Sequence, residues 1–582
     1  MIDLAVRALR LLRSNPRLFA RRLAMVARDP YRGVRALSIT RRRREAVQRS
    51  YDLWVRESAD LPQPQPSEDG PLLSVILPVF ETEGPLLEAA IRSVADQTYS
   101  NWELCIADDA SRGPQVRETL ERHARRDCRI RVAYRTERGH ISAASNTALS
   151  LAGGEFVLLL DHDDVLAPEA LACVAAAAQQ DAEVDFVYSD EDKMDAGGRR
   201  VEPFFKPAWS PTLLTSCNYV THLAAIRRSL ALEVGGFRDD MVGSQDHDLF
   251  LRVAERARRV AHIPRILYHW RMAAGSTAGG SVAKPYAVEA ARRAVRETVE
   301  RRGLAARVEE THLNGIFAVR RQIRPRAAVS LIVGGRGKEW RSLLEMKGVD
   351  VCDVAFLCGR QDLPRGLVVV PDVGALRGDY LLWIDAASRP AGAQSVTSML
   401  EHLEDRQVAV AGGTTRLPDG TVLQAGIAIG DGGQPEYAYA GLPALPQPNF
   451  YLNLKDLPRE VSAVSVACCA MRRETWERLG GWDPVLPPPL AMCDLCLRAR
   501  QGRYSAIYMP PARFIRRRLL PPLPSVLEQR WAWRDFQDPF WNPNMNPGSP
   551  DGLPFRVDTF PRSRTLLIPA PERSPPRPTS SP

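Results

Sequence analysis

The sequence contains no long hydrophobic run and no ordered set of cysteines. Its longest alanine-rich stretch, ALACVAAAA near residue 175, is far shorter than the ~18 apolar residues that a membrane span needs. The ten cysteines are scattered without a disulfide framework, and the single CxxC, Cys493 to Cys496, lacks the second ligand pair of a zinc site. These absences predict a protein that does not span a bilayer and that works in a reduced, cytoplasmic compartment.

Lysine is missing from residues 1–50, although that segment is strongly basic. It holds 14 Arg against three carboxylates, a net charge of +11, so the rest of the chain is slightly acidic within a total of +9. The arginines are mixed with leucines, as in a basic helix that lies on an anionic membrane surface. We predict a basic helical region over residues 1–60. It either contacts the inner face of the plasma membrane peripherally or packs on the rest of the protein, and nucleic acid is not expected as a partner.

Prolines exclude a helix from residues 61–71, LPQPQPSEDGP, which we interpret as an extended linker. From residue 72, apolar strands alternate with helices, and the strands are LLSVILPVF, WELCIADDA, IRVAYR and EFVLLLD. This alternation predicts an α/β domain built on a parallel sheet. Ligands of such domains bind at the carboxyl ends of the strands.

Carboxylates lie at three of those predicted strand ends. The first strand ends in PVFE, residues 78–81, the second in Asp108 and Asp109, and the fourth in DHDD, residues 161–164. Charge is costly at the end of a buried strand, so these aspartates either cap the next helix or hold a cation. Because the three ends meet at one edge of the sheet, we expect one shared site.

Four blocks, SVILPVFETE, CIADDAS, LLLDHDD and GSQDHDLFLR, together resemble the family 2 glycosyltransferases of the GT-A fold over roughly residues 72–280. The later part of the chain is similar to long bacterial enzymes of surface polysaccharide or O-antigen assembly. The resemblance implies an inverting transfer of a hexosyl or deoxyhexosyl group from a nucleotide-sugar donor to a glycan or lipid-linked acceptor. It also implies Mn²⁺ or Mg²⁺ as the cofactor that compensates the charge of the diphosphate.

The same resemblance implies roles for individual residues. Asp163 would bind the metal, with His269 as a candidate second ligand, and Asp246 would be the base that takes the proton of the acceptor hydroxyl. The residues expected near the donor are Pro78, Val79, Glu81, Asp109, Asp161 and His162. Those placed on the acceptor side are Asp190, Glu191, Asp192 and Asp248.

Structural alternatives to these roles stay open. Asp163 and Asp164 could cap the following helix, and His269 could be a packed, hydrogen-bonded histidine. Residues 190–192 could form a solvated acidic turn, and Asp248 could serve only the fold.

The second half of the chain repeats the first. GDYLLWIDAASRP, residues 378–390, parallels GEFVLLLDHDDVLAP, and AMCDLCLRAR parallels SQDHDLFLRV. Asp161 then corresponds to Asp385, but Asp163 corresponds to Ala387 and Asp246 to Met492. We predict a catalytic domain at 72–320, a shortened and degenerate second GT-A copy at 326–520, and an aromatic, then proline-rich and partly disordered tail at 521–582.

Two other functions fit parts of this pattern. A catalytically inactive tandem protein could bind glycans or act as a scaffold, although the first copy keeps its full set of candidate residues. A nucleotidyltransferase also uses aspartates at strand ends, but it would usually carry a glycine-rich phosphate loop after the first strand, and PVFETEG is not such a loop.

Overall fold

A computed structural model describes residues 45–58, 64–66, 69–272, 285–311, 313, 315–324, 328–346, 349–357, 368–369, 373–430, 434–443, 454–524 and 538–545. The arginine-rich residues 1–44 and the proline-rich end of the chain, for which membrane contact and disorder are predicted, lie outside the described residues. No helix within the described ranges has the length and apolarity to cross a membrane.

The first half of the chain folds around a nine-stranded mixed sheet with the order β3-β2-β1-β4-β8-β6-β9-β5, and β7 pairs with β6. Residues 69–324, as far as they are described, are called the first unit. The strands of its sheet are β1 (Leu73–Val79), β2 (Trp102–Asp108), β3 (Ile130–Tyr134), β4 (Phe156–Leu159), β5 (Val165–Leu166), β6 (Val184–Met194), β7 (Arg200–Phe204), β8 (Ala224–Arg227) and β9 (Arg259–Arg271). A separate hairpin consists of β10 (Ala306–Glu310) and β11 (Phe317–Arg321).

Among the described residues one helix, α1, precedes the first unit, and eight more lie within it and cover its sheet. They are α1 (45–58), α2 (Gly84–Ala95), α3 (Pro114–Arg126), α4 (His140–Leu151), α5 (Ala170–Gln180), α6 (Pro211–Leu214), α7 (Arg228–Glu233), α8 (Gln245–Ala254) and α9 (Pro285–Arg301). Prolines in the first turn help to begin α2, α3 and α6, because their fixed φ suits that position.

Strands β1 and β2 are buried along their whole length, as expected for a parallel sheet with both faces covered. β1 pairs in parallel with β2 on one side and with β4 on the other. The register sets Val79 opposite Asp108 and Ile76 opposite Leu159. The carboxyl ends of the three strands therefore meet at one edge, as the sequence predicts.

The second half of the chain folds around a ten-stranded sheet with the order β14-β13-β12-β15-β22-β17-β23-β16, in which β18 also pairs with β17 and β21 with β23; β19 and β20 form a separate pair. Residues 328–524, as far as they are described, are called the second unit. Its strands are β12 (Ala328–Gly334), β13 (Asp350–Phe356), β14 (Val368–Val369), β15 (Tyr380–Asp385), β16 (Ser388–Pro390), β17 (Val408–Arg416), β18 (Val422–Gln424), β19 (Ile427–Ile429), β20 (Pro435–Tyr437), β21 (Arg459–Val461), β22 (Cys468–Arg472) and β23 (Ser505–Arg516). Its helices are α10 (Gln394–Leu403), α11 (Arg473–Arg478) and α12 (Pro488–Gln501).

The two large sheets have the same topology when they are read from one edge to the other. In both sheets the first four strands of the order pair in parallel. The next two pairings are antiparallel, the sixth is parallel and the last is antiparallel. β15 takes the place of β4, and β22 takes the place of β8.

A serine–glycine contact recurs between the third and fourth strands of each order. The Gly154 N–H donates to Ser74 Oγ over 2.9 Å, and the Gly378 N–H donates to Ser330 Oγ over 2.8 Å. A Cβ at either glycine would lie about 2.5 Å from backbone atoms of the neighbouring strand. Both positions therefore require glycine because of the close approach of the backbones.

An ion pair inside a helix also recurs. In α8, Arg252 Nε donates to Asp248 Oδ2 over 2.9 Å, and in α12 Arg498 Nε donates to Asp494 Oδ2 over 2.8 Å. Each arginine also donates to two backbone carbonyls of the turn that precedes its helix. The CxxC cysteines lie on α12 and are buried, so they are part of the core as expected.

Two segments distant in sequence, α1 and residues 538–545, pack on the first unit. The Trp54 indole N–H donates to Asn544 Oδ1 over 3.3 Å, and Asn542 Nδ2 donates to Asp190 Oδ2 over 2.8 Å. The apolar residues at this junction, called the terminal cluster, are Val47, Tyr51, Trp54, Phe205, Ile266 and Met545.

The two units also touch directly. Asp405 of the second unit lies 3.5 Å from an Arg302 guanidinium nitrogen and 3.2 Å from one of Arg321, both in the first unit. A separate contact joins Glu460 in β21 to Ser210 and Thr212 at the start of α6.

Candidate active site

Three side chains at the carboxyl edge of the first sheet form a group that could hold a metal ion. One ligand atom each of Asp161, Asp164 and His222 lies within 4.8 Å of the others. Asp161 follows β4, Asp164 precedes β5 and His222 precedes β8, so the sheet topology brings them together. Two carboxylates and an imidazole suit a divalent cation such as Mn²⁺, whereas Mg²⁺ more often takes oxygen ligands alone. The residues present therefore fit a divalent metal.

His222 is the basic residue of this group. Its Nε2 lies 3.5 Å from Asp161 Oδ2 and its Nδ1 lies 3.5 Å from Glu191 Oε2. Burial acts to lower the pKa of His222, but the two carboxylates outweigh it and raise that pKa well above its ordinary value. Burial raises the pKa of Asp161, and His222 outweighs this effect and brings that pKa below its usual range. The ring of Tyr268 stacks on the imidazole with the centroids 4.4 Å apart.

Asp164 is fully buried and hydrogen-bonded. Its Oδ2 accepts the Tyr268 hydroxyl over 2.7 Å, and its Oδ1 accepts the Arg271 N–H over 2.7 Å. Burial raises its pKa well above the usual range for a carboxyl group. Helix α5 begins at Ala170 with Glu169 as its N-cap, so the alternative in which Asp163 or Asp164 caps this helix is wrong.

Asp163 and His269, the expected metal ligands, lie outside the three-residue group. Asp163 is partly exposed, and burial together with the charge of Asp161 raises its pKa. His269 is buried in β9, with its Nδ1 2.6 Å from Asp192 Oδ1. His162, expected near the donor, precedes Asp163 and has a buried Nδ1 without a hydrogen-bond partner among the described residues.

Asp246 is the second residue of α8 and is held at both carboxylate oxygens. Oδ2 accepts from Asn218 Nδ2 over 2.7 Å, and Oδ1 accepts from the His247 N–H over 2.8 Å. Burial is the largest influence on its pKa and raises it above the ordinary value. The charges of His222 and Asp161 also act on this pKa, so Asp246 shares one electrostatic environment with the candidate metal group. A raised pKa moves a carboxylate towards the basicity that proton transfer near neutral pH requires.

Asp248, two residues further along α8, faces away from this environment into an arginine pair. It is 1 % exposed and accepts from Arg252, and it also accepts from Arg238 through both oxygens. These contacts are those of a residue that stabilises the fold.

Asp190, Glu191 and Asp192 lie within β6 and are between 0 % and 3 % exposed, so the solvated acidic turn is wrong. Each carboxylate has partners inside the protein, because β6 lies near the middle of the sheet. Asp190 accepts from His262, the Lys206 N–H and Asn542. Glu191 accepts from Thr221, the His222 N–H and the Lys206 ammonium group, and Asp192 accepts from Tyr51, Arg200 and His269.

The residues expected near the donor line the ends of β1 and β2. Pro78 and Val79 are buried in β1, and the Val79 carbonyl accepts the Asp109 N–H over 2.8 Å. Asp109 Oδ1 accepts from Arg135 Nε over 2.9 Å and from the Gly139 N–H over 2.8 Å. Glu81 is exposed, and its Oε1 accepts the Arg112 N–H over 2.8 Å.

Sequence reasoning missed His222 and Asn218. His222 stands directly before the apolar strand β8, and the internal repeat holds the signal that could have revealed it. The segments YVTHLAAIRR and AVSVACCAMRR place Ala467 where the first copy has His222. A histidine that is present only in the copy with the other candidate residues is a natural candidate ligand.

Comparison with known proteins gives the family. The Glycosyl transferase family 2 description matches residues 74–235. WcaA of Escherichia coli (strain K12), which is named as a colanic acid biosynthesis glycosyl transferase, is 30% identical over 215 residues, which cover 34% of this chain and 74% of WcaA. The chain belongs to glycosyl transferase family 2. The family resemblance and the GT-A fold class expected from the sequence are thereby confirmed.

Longer relatives match most of this family 2 chain. The uncharacterized protein y4gI of Sinorhizobium fredii (strain NBRC 101917 / NGR234) is 32% identical over 550 residues, 82% of this chain and 58% of the relative. The O-antigen biosynthesis protein RfbC of Myxococcus xanthus is 29% identical over 515 residues, 82% of this chain and 40% of the relative. The chain thus spans about half the length of these two relatives.

Among solved structures, one similar to this family 2 chain is the S. aureus TarS 1-349 complex with UDP-GlcNAc. The superposition covers 39% of this chain and 66% of the TarS chain. Its sequence identity is 21% and its TM-score is 0.33.

Proposed function

We propose that the chain is a metal-dependent, inverting glycosyltransferase that moves a sugar from a nucleotide-sugar donor to a glycan or lipid-linked acceptor. We place the reaction in bacterial surface polysaccharide biosynthesis and at the first unit. The observation that carries this proposal is the shared environment of Asp246 and the group Asp161, Asp164 and His222 at one edge of the sheet. Membership in glycosyl transferase family 2 supports the reaction class.

The residues divide the work of the transfer between them. Asp161, Asp164 and His222 would hold the cation, and Asp163 remains a proposed ligand beside them. When bound, the cation supplies positive charge against the diphosphate that leaves with the nucleoside. Asp246 accepts the proton of the acceptor hydroxyl while the hydroxyl oxygen attacks the anomeric carbon. The bond from this carbon to the diphosphate breaks on the opposite side. Attack opposite the leaving group inverts the anomeric centre.

The second unit has lost the groups that this reaction needs. Ala467 stands in the place of His222, and Met492, which is fully buried, stands in the place of Asp246. The retained Asp385 lies with its Oδ1 3.1 Å from Arg516 Nε, so an internal guanidinium balances its charge. We therefore propose that residues 326–520 are a degenerate second copy without transfer activity.

Two further roles belong to the same proposal. Residues 1–44 would bind anionic lipid at the cytoplasmic face of the membrane, because they carry 13 Arg and two carboxylates. The residues that would line the donor are Pro78, Val79, Glu81, Asp109, Asp161 and His162, with Asp161 also in the group that would hold the cation.

The test is mass-spectrometric detection of nucleoside diphosphate release from a panel of nucleotide sugars in the presence of Mn²⁺ and acceptor glycans. The wild type is compared with Asp246→Asn, which keeps the shape of the side chain and removes the base. We expect Asp246→Asn to lower the rate by about 10²-fold to 10⁴-fold.

A matched pair of variants assigns the activity to one unit. Asp161→Ala should abolish release, whereas Asp385→Ala, at the corresponding position of the second unit, should leave it unchanged. The proposal is wrong if no nucleotide sugar is turned over, or if Asp246→Asn is as active as the wild type.

A further inference from the structure

Glu460 belongs to the second unit, yet among the described residues its carboxylate is hydrogen-bonded only to the start of α6 in the first unit. It accepts the Ser210 hydroxyl, the Thr212 hydroxyl over 2.6 Å and the Thr212 N–H over 3.3 Å. Glu460 is only 6 % exposed. Ser210 is the N-cap of α6 and accepts the Leu213 N–H over 3.3 Å, so Glu460 supports the cap itself.

The chain that runs through α6 then leads to Asp246. The Leu214 carbonyl at the end of the helix accepts His247 Nε2 over 2.8 Å. Four residues later, Asn218 donates to Asp246 Oδ2 over 2.7 Å, and the His247 N–H donates to the other oxygen. Residues 210–218, called the α6 segment, thus fix both groups that hold the carboxylate of Asp246.

The α6 segment depends on contacts at its ends. A four-residue helix has no stability of its own, because nucleation is costly and few hydrogen bonds repay it. Hydrogen bonds to a buried charged group are among the stronger ones in proteins, and a buried donor that loses its acceptor is destabilised. Without the Glu460 carboxylate, Ser210 and Thr212 would lose their acceptor in a buried place.

We propose that Glu460 is a positioning residue for Asp246, so that the second unit completes the active site of the first. This inference rests on the proposed role of Asp246 as the base. It gives the degenerate copy a function in catalysis that needs no metal, donor or acceptor of its own. The Glu460 carboxylate acts through the α6 segment and touches no substrate.

The test combines kinetics with hydrogen exchange on the full chain. Glu460→Ala should lower kcat for transfer by about 10-fold to 100-fold, because a small displacement of a base is costly. The KM for the donor and the affinity for the nucleoside diphosphate should stay within about twofold, since donor and cation bind elsewhere in the crevice. Glu460→Gln, which keeps one acceptor oxygen and the shape, should recover much of the loss.

The matched control is Asp405→Asn. It removes a second carboxylate at the junction of the units, one that pairs with Arg302 and Arg321 and not with the α6 segment. This variant should keep the wild-type kcat. An equal loss in both variants, or a loss of nucleotide affinity that parallels the loss of kcat in Glu460→Ala, would show general damage and overturn the inference.

Amide hydrogen exchange separates this inference from the proposed function. In Glu460→Ala, the amides of Leu213 and His247 should exchange faster than in the wild type and in Asp405→Asn. This readout needs no turnover, so it applies even if no donor is found and the assignment as a transferase fails. Unchanged exchange at His247 would show that Glu460 does not reach the base, whatever the activity.

Discussion

Arg516 and Asp385 form an ion pair, with 3.1 Å between Nε and Oδ1, at the strand end of the second sheet that corresponds to the position of Asp161 in the first. The strand pairing aligns Tyr268 with Phe514, since Leu166 faces Tyr268 and Pro390 faces Phe514, so Arg516 lies two residues beyond that position. The two corresponding carboxylates thus have different partners: Asp161 meets an imidazole and Asp385 meets a guanidinium. A guanidinium stays protonated and has no lone pair to offer a metal. The corresponding edge of the second sheet is therefore unsuited to a cation.

The first prediction concerns Mn²⁺ binding in the presence of UDP or GDP, followed by electron paramagnetic resonance of the free ion. His222→Ala gives the first unit the alanine that the second unit has at Ala467. It should weaken binding by at least about tenfold, because it removes one of the three proposed ligands. Asp385→Ala should leave binding unchanged. Equal affinities for the wild type and His222→Ala would exclude His222 as a ligand.

The second prediction concerns the buried carboxylate in α8. Asp248→Ala leaves Arg252, which is 10% exposed, without its carboxylate partner. Removing one partner of a buried ion pair lowers the free energy of unfolding by about 3–5 kcal/mol. A shifted midpoint of urea unfolding measures it. Glu121→Ala breaks exposed pairs on α3 and should leave the midpoint unchanged, and a similar midpoint for both variants would contradict the burial argument.

The third prediction concerns acid pH and His402. Burial, assisted by the charge of Arg321, lowers the pKa of His402 to about 3 from an ordinary 6.5. Between these two values the unfolded chain binds a proton that the folded chain does not. The stability that comes from His402 is therefore full above pH 6.5 and falls as the pH drops towards 3, by at most about 1.4 kcal/mol per pH unit.

Urea unfolding of the wild type and His402→Gln, compared at pH 7 and pH 5.5, measures this contribution. The two proteins share every other titrating group, so the wild type should lose more stability than the variant. Parallel losses would show that His402 is protonated in the folded protein.

The fourth prediction concerns the basic segment. Removal of residues 1–44 takes away 13 Arg and leaves α1, which Tyr51 anchors through its hydroxyl on Asp192. The shortened protein should no longer sediment with vesicles that contain anionic lipid, while its catalytic rate with a soluble acceptor should be retained. Binding of the undeleted chain to these vesicles should also weaken at high salt, because the attraction is electrostatic. Sedimentation that is unchanged by the deletion would place the contact elsewhere or exclude it.

The sequence predicted the parts of the fold that are local. The alternation of strands and helices from residue 72, the convergence of Val79, Asp109 and Asp161, and the position of Asp246 at a helix start could all be read from neighbouring residues. These features depend on periodicity and on the topology of parallel sheets, which short stretches of sequence carry. The order of the strands in the two sheets was not predicted.

The partners of the buried carboxylates could not be predicted. Asp190 meets Asn542 across 352 residues, and Asp192 meets Tyr51 across 141. An acidic run such as YSDEDK is ordinarily typical of a solvated turn, and only its distant partners explain why it lies in a buried strand. His222 joins the candidate metal group for the same reason, because the sheet order places β8 beside β4.

The terminal cluster has a consequence for synthesis of the chain. Trp54 and Asn544 are 490 residues apart, and ribosomes add roughly 5–20 residues each second. The tryptophan of α1 therefore leaves the ribosome about half a minute to a minute and a half before its partner exists. Throughout that interval the aromatic face of α1 lacks the contacts that residues 538–545 give it, so the packing of α1 is completed only when most of the chain has been made.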